Sequence, residues 1–474
     1  MRSVATGVWE GERRGLTIGL VMTVTLVAFE GLAVATIMPA VRRDLGGFGL
    51  YGWAFSAFML ASLVSTAIAG RAADAHGVGR PFTTGVAFFA VGLAIGAAAP
   101  SMLILVAGRA VQGLGAGAVG ASAVTTVARG YPVELRPRMF ALMSTAWVVP
   151  GLLGPGVSGV VADTLGWRWV FAGLLPLIAV SAAVAIPRLR RLGAPTRAND
   201  GAEGEHQSGA RTSTALVLAV TSGMLLAGLS THHLWMAVPL IIVGGIGGAA
   251  SLSRLLPAGA LLARPGLPTA VLLKGVVTFA FFGTDAFISL AVTSVRHQSV
   301  TVAGLALTAA TLTWTAGAWL NAHQAATVPP RRLIAFGLTL IGVGTALMLV
   351  ALSPAAPLLT IVLAWGIAGL GMGVAYQSVT LAVLAEAPEG QEGEASAAQQ
   401  LADVLGIAIG TGVVGALVSF GDAAGWSVAT SLRAGFTVTL AMAIIGIALT
   451  RRLAASGRIG PAADSAPRSA PSLG

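Results

Sequence analysis

Fourteen apolar runs of at least 18 residues, parted by short polar breaks, set the plan of this chain. They fall at about residues 16–41, 51–70, 81–99, 101–126, 139–162, 168–187, 213–230, 234–251, 268–292, 300–321, 332–352, 356–385, 395–420 and 431–450. About 20 residues at ~1.5 Å rise cross the ~30 Å core of a bilayer, and backbone in lipid must bond to itself. Each run is therefore expected to be a transmembrane helix, and the fold an all-α membrane protein of 14 spans. The order is six runs, a polar stretch from Arg188 to Arg211, a tightly coupled pair, and six more.

Composition narrows this further. Charged residues make up 10% and hydrophobic ones 55%, whereas soluble domains carry about a quarter charged residues. There is no cysteine, which excludes disulfides and thiolate metal sites; no metal or cofactor is expected. The net charge of +10 comes from 27 arginines and one lysine, Lys274. With both termini inside, 21 of these bases lie on the inner side, five outside (Arg42, Arg43, Arg168, Arg296, Arg433) and two within spans (Arg109, Lys274). That bias is the positive-inside pattern, not a nucleic-acid footprint. It puts both termini in the cytoplasm of a multi-pass protein, and the arginine, alanine and glycine usage points to a bacterial inner membrane.

The two sets of six repeat. In span 4, Gln112-Gly-Leu-Gly-Ala-Gly-Ala118 aligns with Ala368-Gly-Leu-Gly-Met-Gly-Val374 in span 12, an offset of 256. The same offset carries Gly154–Gly159 onto Gly410–Gly415. Weaker echoes pair Gly70-x-x-x-Asp74 with Gly317-x-x-x-Asn321, and Phe29-Glu30-Gly31 with Phe281-Phe282-Gly283. The division that follows is a six-helix bundle over 1–190, a cytoplasmic linker 191–212, two inserted helices 213–251 and a cytoplasmic connection 252–267. A second six-helix bundle over 268–452 and a disordered tail 453–474 complete it. Such duplicated units are transporter architecture, with the site at mid-membrane between repeats.

Ionisable groups inside spans are read as functional by default. Glu30 sits ~15 Å and Arg109 ~12 Å from the outer ends of their helices, so the two match in depth and can meet if their helices are neighbours. A guanidinium favours the charged form of a buried carboxyl and apolar surroundings disfavour it, so making and breaking the pair would load and release a proton. A static pair that only fixes packing is the alternative. Asp285 in span 9 and Asp403 in span 13 are candidates for a substrate or second proton site, with Trp53, Trp147, Trp314, Tyr376 and Gln377 as cavity-lining groups. Lys274, one turn inside span 9, is expected to snorkel to the headgroups. Pro150 and Pro155 should bend span 5 and let span 8 or another partner pack close.

The motifs resemble those of the major facilitator superfamily, and within it the fourteen-span drug:proton antiporters. Gly70-Arg-Ala-Ala-Asp74-Ala-His-Gly77-Val-Gly-Arg80 is similar to the family's loop between spans 2 and 3. Arg109-Ala-Val-Gln112-Gly113 resembles its span-4 motif. Pro150-Gly-Leu-Leu-Gly154-Pro155-Gly-Val-Ser-Gly159 resembles its span-5 antiporter motif, and Glu30 to Pro39 its span-1 pattern. The departures are Glu30 where the family usually has Asp, Val78 and Gly79 where bases are usual, and Pro150 and Ser158 where glycines are typical. The resemblance implies a major facilitator fold of two six-helix bundles plus two central helices. It also implies that spans 1 and 4 are neighbours, that Glu30 and Arg109 couple protons, and that Gly70, Asp74, Gly77 and Arg80 gate the cytoplasmic side.

No Asp-x-x-Asp cluster and no phosphate-binding loop ending in Lys occurs, which argues against a membrane transferase or an ATP-driven pump. The expectation is a secondary transporter, not an enzyme. It would export amphiphilic or cationic small molecules against protons by alternating access, as a monomer in the lipid bilayer with no nucleic-acid partner. Alternatives are a dedicated exporter of a lipid or secondary metabolite, or a solute sensor without transport.

Overall fold

The computed structural model describes residues 7–132, 135–192, 202–231, 233–325, 327–388 and 391–453, with side chains except at 11–12, 74, 137, 140–141, 144, 202–211 and 234. The expected tail beyond 453 and much of the expected linker lie outside the described residues. The helices are α1 (Gly11–Leu45), α2 (Trp53–His76), α3 (Gly79–Ala98), α4 (Met102–Gly130), α5 (Arg136–Thr145), α6 (Val148–Thr164), α7 (Arg168–Ala172) and α8 (Leu174–Arg191). They continue with α9 (Ala202–Ser230), α10 (Leu234–Leu255), α11 (Leu267–Leu290), α12 (Val300–Gln324), α13 (Pro330–Ala351), α14 (Leu359–Glu386), α15 (Glu392–Ala423) and α16 (Val428–Leu449).

Thirteen helical segments among the described residues are long and apolar enough to cross a membrane, and the shorter apolar helix α6 takes the place of the remaining span. The expected continuous fifth span is in fact two helices, α5 and α6. The break at Ala146–Trp147 falls one turn before Pro150. A proline there has no N–H for the Ala146 carbonyl, and its ring crowds that oxygen. Ala146 N still bonds Leu142 O, and Gly151 N bonds Trp147 O, both at 3.0 Å, so the ladder stops and restarts.

Glycine lets the helices approach. A Cβ at Gly113 would collide with the backbone of Phe58 and one at Gly117 with that of Ser62, both on α2, while one at Gly115 would meet α3 at Gly85 and Phe89. The second set repeats the arrangement. Gly369 and Gly373 face Ala310 and Trp314 on α12, and Gly371 faces Gly337 on α13. At the echo Gly317-x-x-x-Asn321 the two glycines have different surroundings. Gly317 is pressed between Leu370 and Gly373, and buried Asn321 donates to the Val374 carbonyl at 3.0 Å and to Ser378 Oγ. Gly70 meets nothing comparable.

The two helix groups meet along α2–α15, α6–α12 and α1–α11. Several contacts lie in the half of the bundle far from the termini. Ser56 Oγ donates to the Ala408 carbonyl at 2.9 Å and lies 3.2 Å from Thr411 Oγ1. Thr301 donates to Asp163 Oδ2 through N (3.1 Å) and Oγ1 (2.8 Å). The Tyr51 and Phe287 rings stand 5.3 Å apart, and Arg42 reaches Ser294. The inserted α9 lies on the α2–α15 seam: Leu218 and Leu226 pack with Leu60, Leu63 and Leu405. Beyond its slight contact with the turn at Ala260, α10 packs on α9.

Candidate functional site

Among the described residues, two clusters of ionisable groups lie inside the bundle, one in each repeat. In the first, Arg109 on α4 is held from three helices. Its Nη1 donates to Glu30 Oε1 on α1 and to Gln112 Oε1 at 2.7 Å, and its Nε donates to the Ala54 carbonyl on α2 at 3.0 Å. The guanidinium carbon stands 4.3 Å over the Phe58 ring. Glu30 and Arg109 are 1% and 3% exposed. Gln112 lies one turn from Arg109 on the same face, and Gly113 beside it lets α2 come close enough to supply Ala54 and Phe58. Two atoms have no partner among the described residues: Glu30 Oε2 and Gln112 Nε2. The pair that matched depth allowed and the resemblance implied is formed, with one carboxylate oxygen left free.

The second cluster runs along α11, α12, α14 and α15. Trp365 occupies the repeat position of Arg109, and its Nε1 donates to Asp285 Oδ1 on α11 at 2.8 Å. An indole N–H thus serves the second repeat's acid where a guanidinium serves the first. Phe281 stacks on Trp365 at 4.9 Å, Trp314 meets Phe281 edge-on at 5.6 Å, and Tyr376 lies 5.7 Å from Trp314. Tyr376 Oη then donates to Asp403 Oδ2 at 2.9 Å. The sequence expected Lys274 to reach the headgroups; instead it is 1% exposed, because α14, α15 and α16 enclose α11. Its Nζ lies 3.3 Å from both the Tyr376 carbonyl and Thr380 Oγ1, and 2.9 Å from the Tyr376 ring centroid.

Comparison with known proteins now gives the family. The sequence profile of the Major Facilitator Superfamily matches residues 18–273, more than half of the chain. The chain belongs to the major facilitator superfamily. A Mycobacterium tuberculosis relative named "probable multidrug-efflux transporter" is 26% identical over 461 residues, covering 93% of this chain and 96% of that one. "Multidrug resistance protein 3" of Bacillus subtilis is 31% identical over 166 residues, which is 35% of this chain and 32% of that protein. A solved peptide transporter in complex with sulfate shares the fold at a TM-score of 0.66 and 19% identity, over 93% and 94% of the two chains. These relatives and neighbours are transporters, not enzymes.

Within this superfamily chain the other expected site residues scatter. Trp147 is 53% exposed and Gln377 is exposed, and neither is bound to the acids, so they do not join the group that includes Trp314. Gly77 takes φ +81° at the α2–α3 turn, a conformation that favours glycine. Arg80 is exposed and lines a cavity of about 470 Å³ with His76, Gly79, Thr83, Thr84, Leu189 and Arg190. The side chain of Asp74 lies outside the described residues. Arg129 donates to the Ala73 carbonyl at 2.9 Å, tying α4 to the end of α2. In the antiporter motif, Gly151 and Gly159 face Thr311 and Thr301 on α12, the Pro155 carbonyl faces Gly304, and Gly154 faces Phe29. The partner of span 5 is therefore span 10, with span 1 behind, and not span 8. Sequence reading missed the Trp365–Asp285 bond and the burial of Lys274. The offset of 256 that maps Arg109 onto Trp365 was the available signal for the first.

Proposed function

We propose that this transporter couples proton entry to the efflux of amphiphilic or cationic small molecules by alternating access across a bacterial inner membrane, with both termini cytoplasmic. The carrying observation is the buried Glu30–Arg109 pair with Glu30 Oε2 free: a carboxylate that trades a guanidinium for water gains and loses a proton, and Arg109 is anchored independently by Ala54 and Gln112. Hinged separation of the groups 1–190 and 268–452 would let water reach it. The names of the relatives support efflux of drug-like molecules. The aromatic strip from Trp365 to Tyr376 between two acids suits a flat or amphiphilic cation. Gly70, Asp74, Gly77 and Arg80 would close the terminal side, and the glycine- and proline-rich α6–α12 contact would seal the far side against proton leak. The protein would work as a monomer.

The test is acidification of proteoliposomes on addition of cationic dyes. Wild type is expected to respond, Glu30→Gln to be silent, and Glu30→Asp, which keeps the carboxyl, to retain part of the signal. Equal responses from wild type and Glu30→Gln would remove Glu30 from the coupling. Silence of the wild type across cationic dyes would turn the reading to a dedicated exporter of a lipid or secondary metabolite.

A further inference from the structure

Lys274 is the single lysine of the chain, and a buried ammonium needs a purpose or a counter-charge. Among the described residues no carboxylate lies within ion-pair distance of it. Its hydrogen-bond partners are a carbonyl and a hydroxyl, and its third neighbour is the face of the Tyr376 ring. The acid of the neighbourhood, Asp403, stands at the other end of the same tyrosine, bound to its hydroxyl. Thr380 is fixed in turn, accepting from Gln399 Nε2 at 3.0 Å and donating to the Tyr376 carbonyl at 3.1 Å. The three key groups lie at comparable depth. Lys274, Tyr376 and Asp403 are about 7, 10 and 11 residues from the terminal-side ends of their helices, or ~10–17 Å.

Two features of this arrangement belong to a binding site rather than to packing. Asp403 Oδ1 is buried without a hydrogen-bond partner, an open acceptor beside a formed one. The electron-rich face of Tyr376, the natural seat for an alkylammonium, is occupied by the protein's own ammonium on a flexible four-carbon stem. Tyr376 and Asp403 are each half-buried.

We propose that the ring face of Tyr376 together with Asp403 Oδ1 is the seat for the cationic head of a monovalent organic cation, and that Lys274 is a tethered stand-in that fills it when no substrate is bound. A ligand cation takes the ring face and the open carboxylate oxygen, and Lys274 swings off. One acid then balances one cation in either state, and the displaced ammonium finds water on the terminal side. A neutral ligand of the same shape has nothing to displace Lys274 with, so the lysine also discriminates by charge.

The inference rests on the cationic-substrate reading above, and binding rather than transport tests it. Equilibrium binding of tetraphenylphosphonium, with neutral triphenylphosphine oxide as the control, is measured on the purified full chain in detergent at neutral pH. Lys274→Gln removes the competitor and is expected to tighten tetraphenylphosphonium by about tenfold, with triphenylphosphine oxide unchanged; Lys274→Arg should bind as wild type does. Tyr376→Leu should weaken the cation several-fold relative to Tyr376→Phe, which keeps the ring; this pair carries the test if the lysine variant does not fold. Binding by wild type that Lys274→Gln leaves unchanged or weakens would overturn the stand-in role and leave the cationic-substrate reading intact. Equal affinities of the two tyrosine variants would overturn it as well. No binding by wild type or by Lys274→Gln would overturn both.

Discussion

Replacing Glu30 by Gln should destabilise the protein more than replacing Glu30 and Arg109 together. In the single variant the guanidinium keeps Gln112, the Ala54 carbonyl and the Phe58 face but loses its counter-charge, at a site where only 3% of the arginine is exposed. Breaking one side of a buried pair costs about 3–5 kcal/mol, because the remaining charge stays desolvated. In the double variant, Glu30→Gln with Arg109→Gln, no charge is buried. Gln112 keeps a partner of the right chemistry, so the loss falls to that of the missing hydrogen bonds, about 1 kcal/mol each. Glu30→Gln alone should therefore lose about 2–3 kcal/mol more than the double variant. Unfolding by increasing mole fraction of dodecyl sulfate in mixed micelles, followed by circular dichroism for wild type, both singles and the double, measures the cycle. Singles that each cost under about 1 kcal/mol and simply add in the double would refute the reasoning, for they would mean that water reaches the pair.

Gly113→Val should unfold or markedly destabilise the protein, since even a Cβ there strikes the Phe58 backbone and overpacking costs about 1–3 kcal/mol or more. Gly120→Val on the same helix, with nothing within 4 Å of its Cβ, should melt as wild type does. Gly77→Ala forces a side chain to φ +81° and should lower stability by about 1–3 kcal/mol, read by thermal melting in detergent. Because the chain has no cysteine, Ser56→Cys with Thr411→Cys can be oxidised without background. The two hydroxyls are 3.2 Å apart across the far-side seam, so cross-linking should stop dye-driven acidification and reductant should restore it. Full activity of the cross-linked protein would refute opening along that seam.

How far the sequence reached, and where it stopped, follows from what depth and rotation mean for a helix in lipid. Position along a membrane helix is linear in sequence, at ~1.5 Å per residue. The spans, the membrane fold and the matched depth of Glu30 and Arg109 could therefore be read from residue counts alone. The glycine repeat at 113, 115 and 117 likewise carried its meaning in its spacing, because close backbone approach tolerates little else, and the structure shows α2 and α3 in those notches. Rotation about the helix axis is another matter. Lipid tails are as apolar as a helix interface, so hydropathy does not tell the two faces of a span apart. Only packing decided that Lys274 points at Tyr376 rather than the headgroups, that Trp365 serves Asp285, and that Trp147 and Gln377 stay exposed. The break before Pro150 and the seating of α9 on the α2–α15 seam were settled the same way, by which neighbour each helix met.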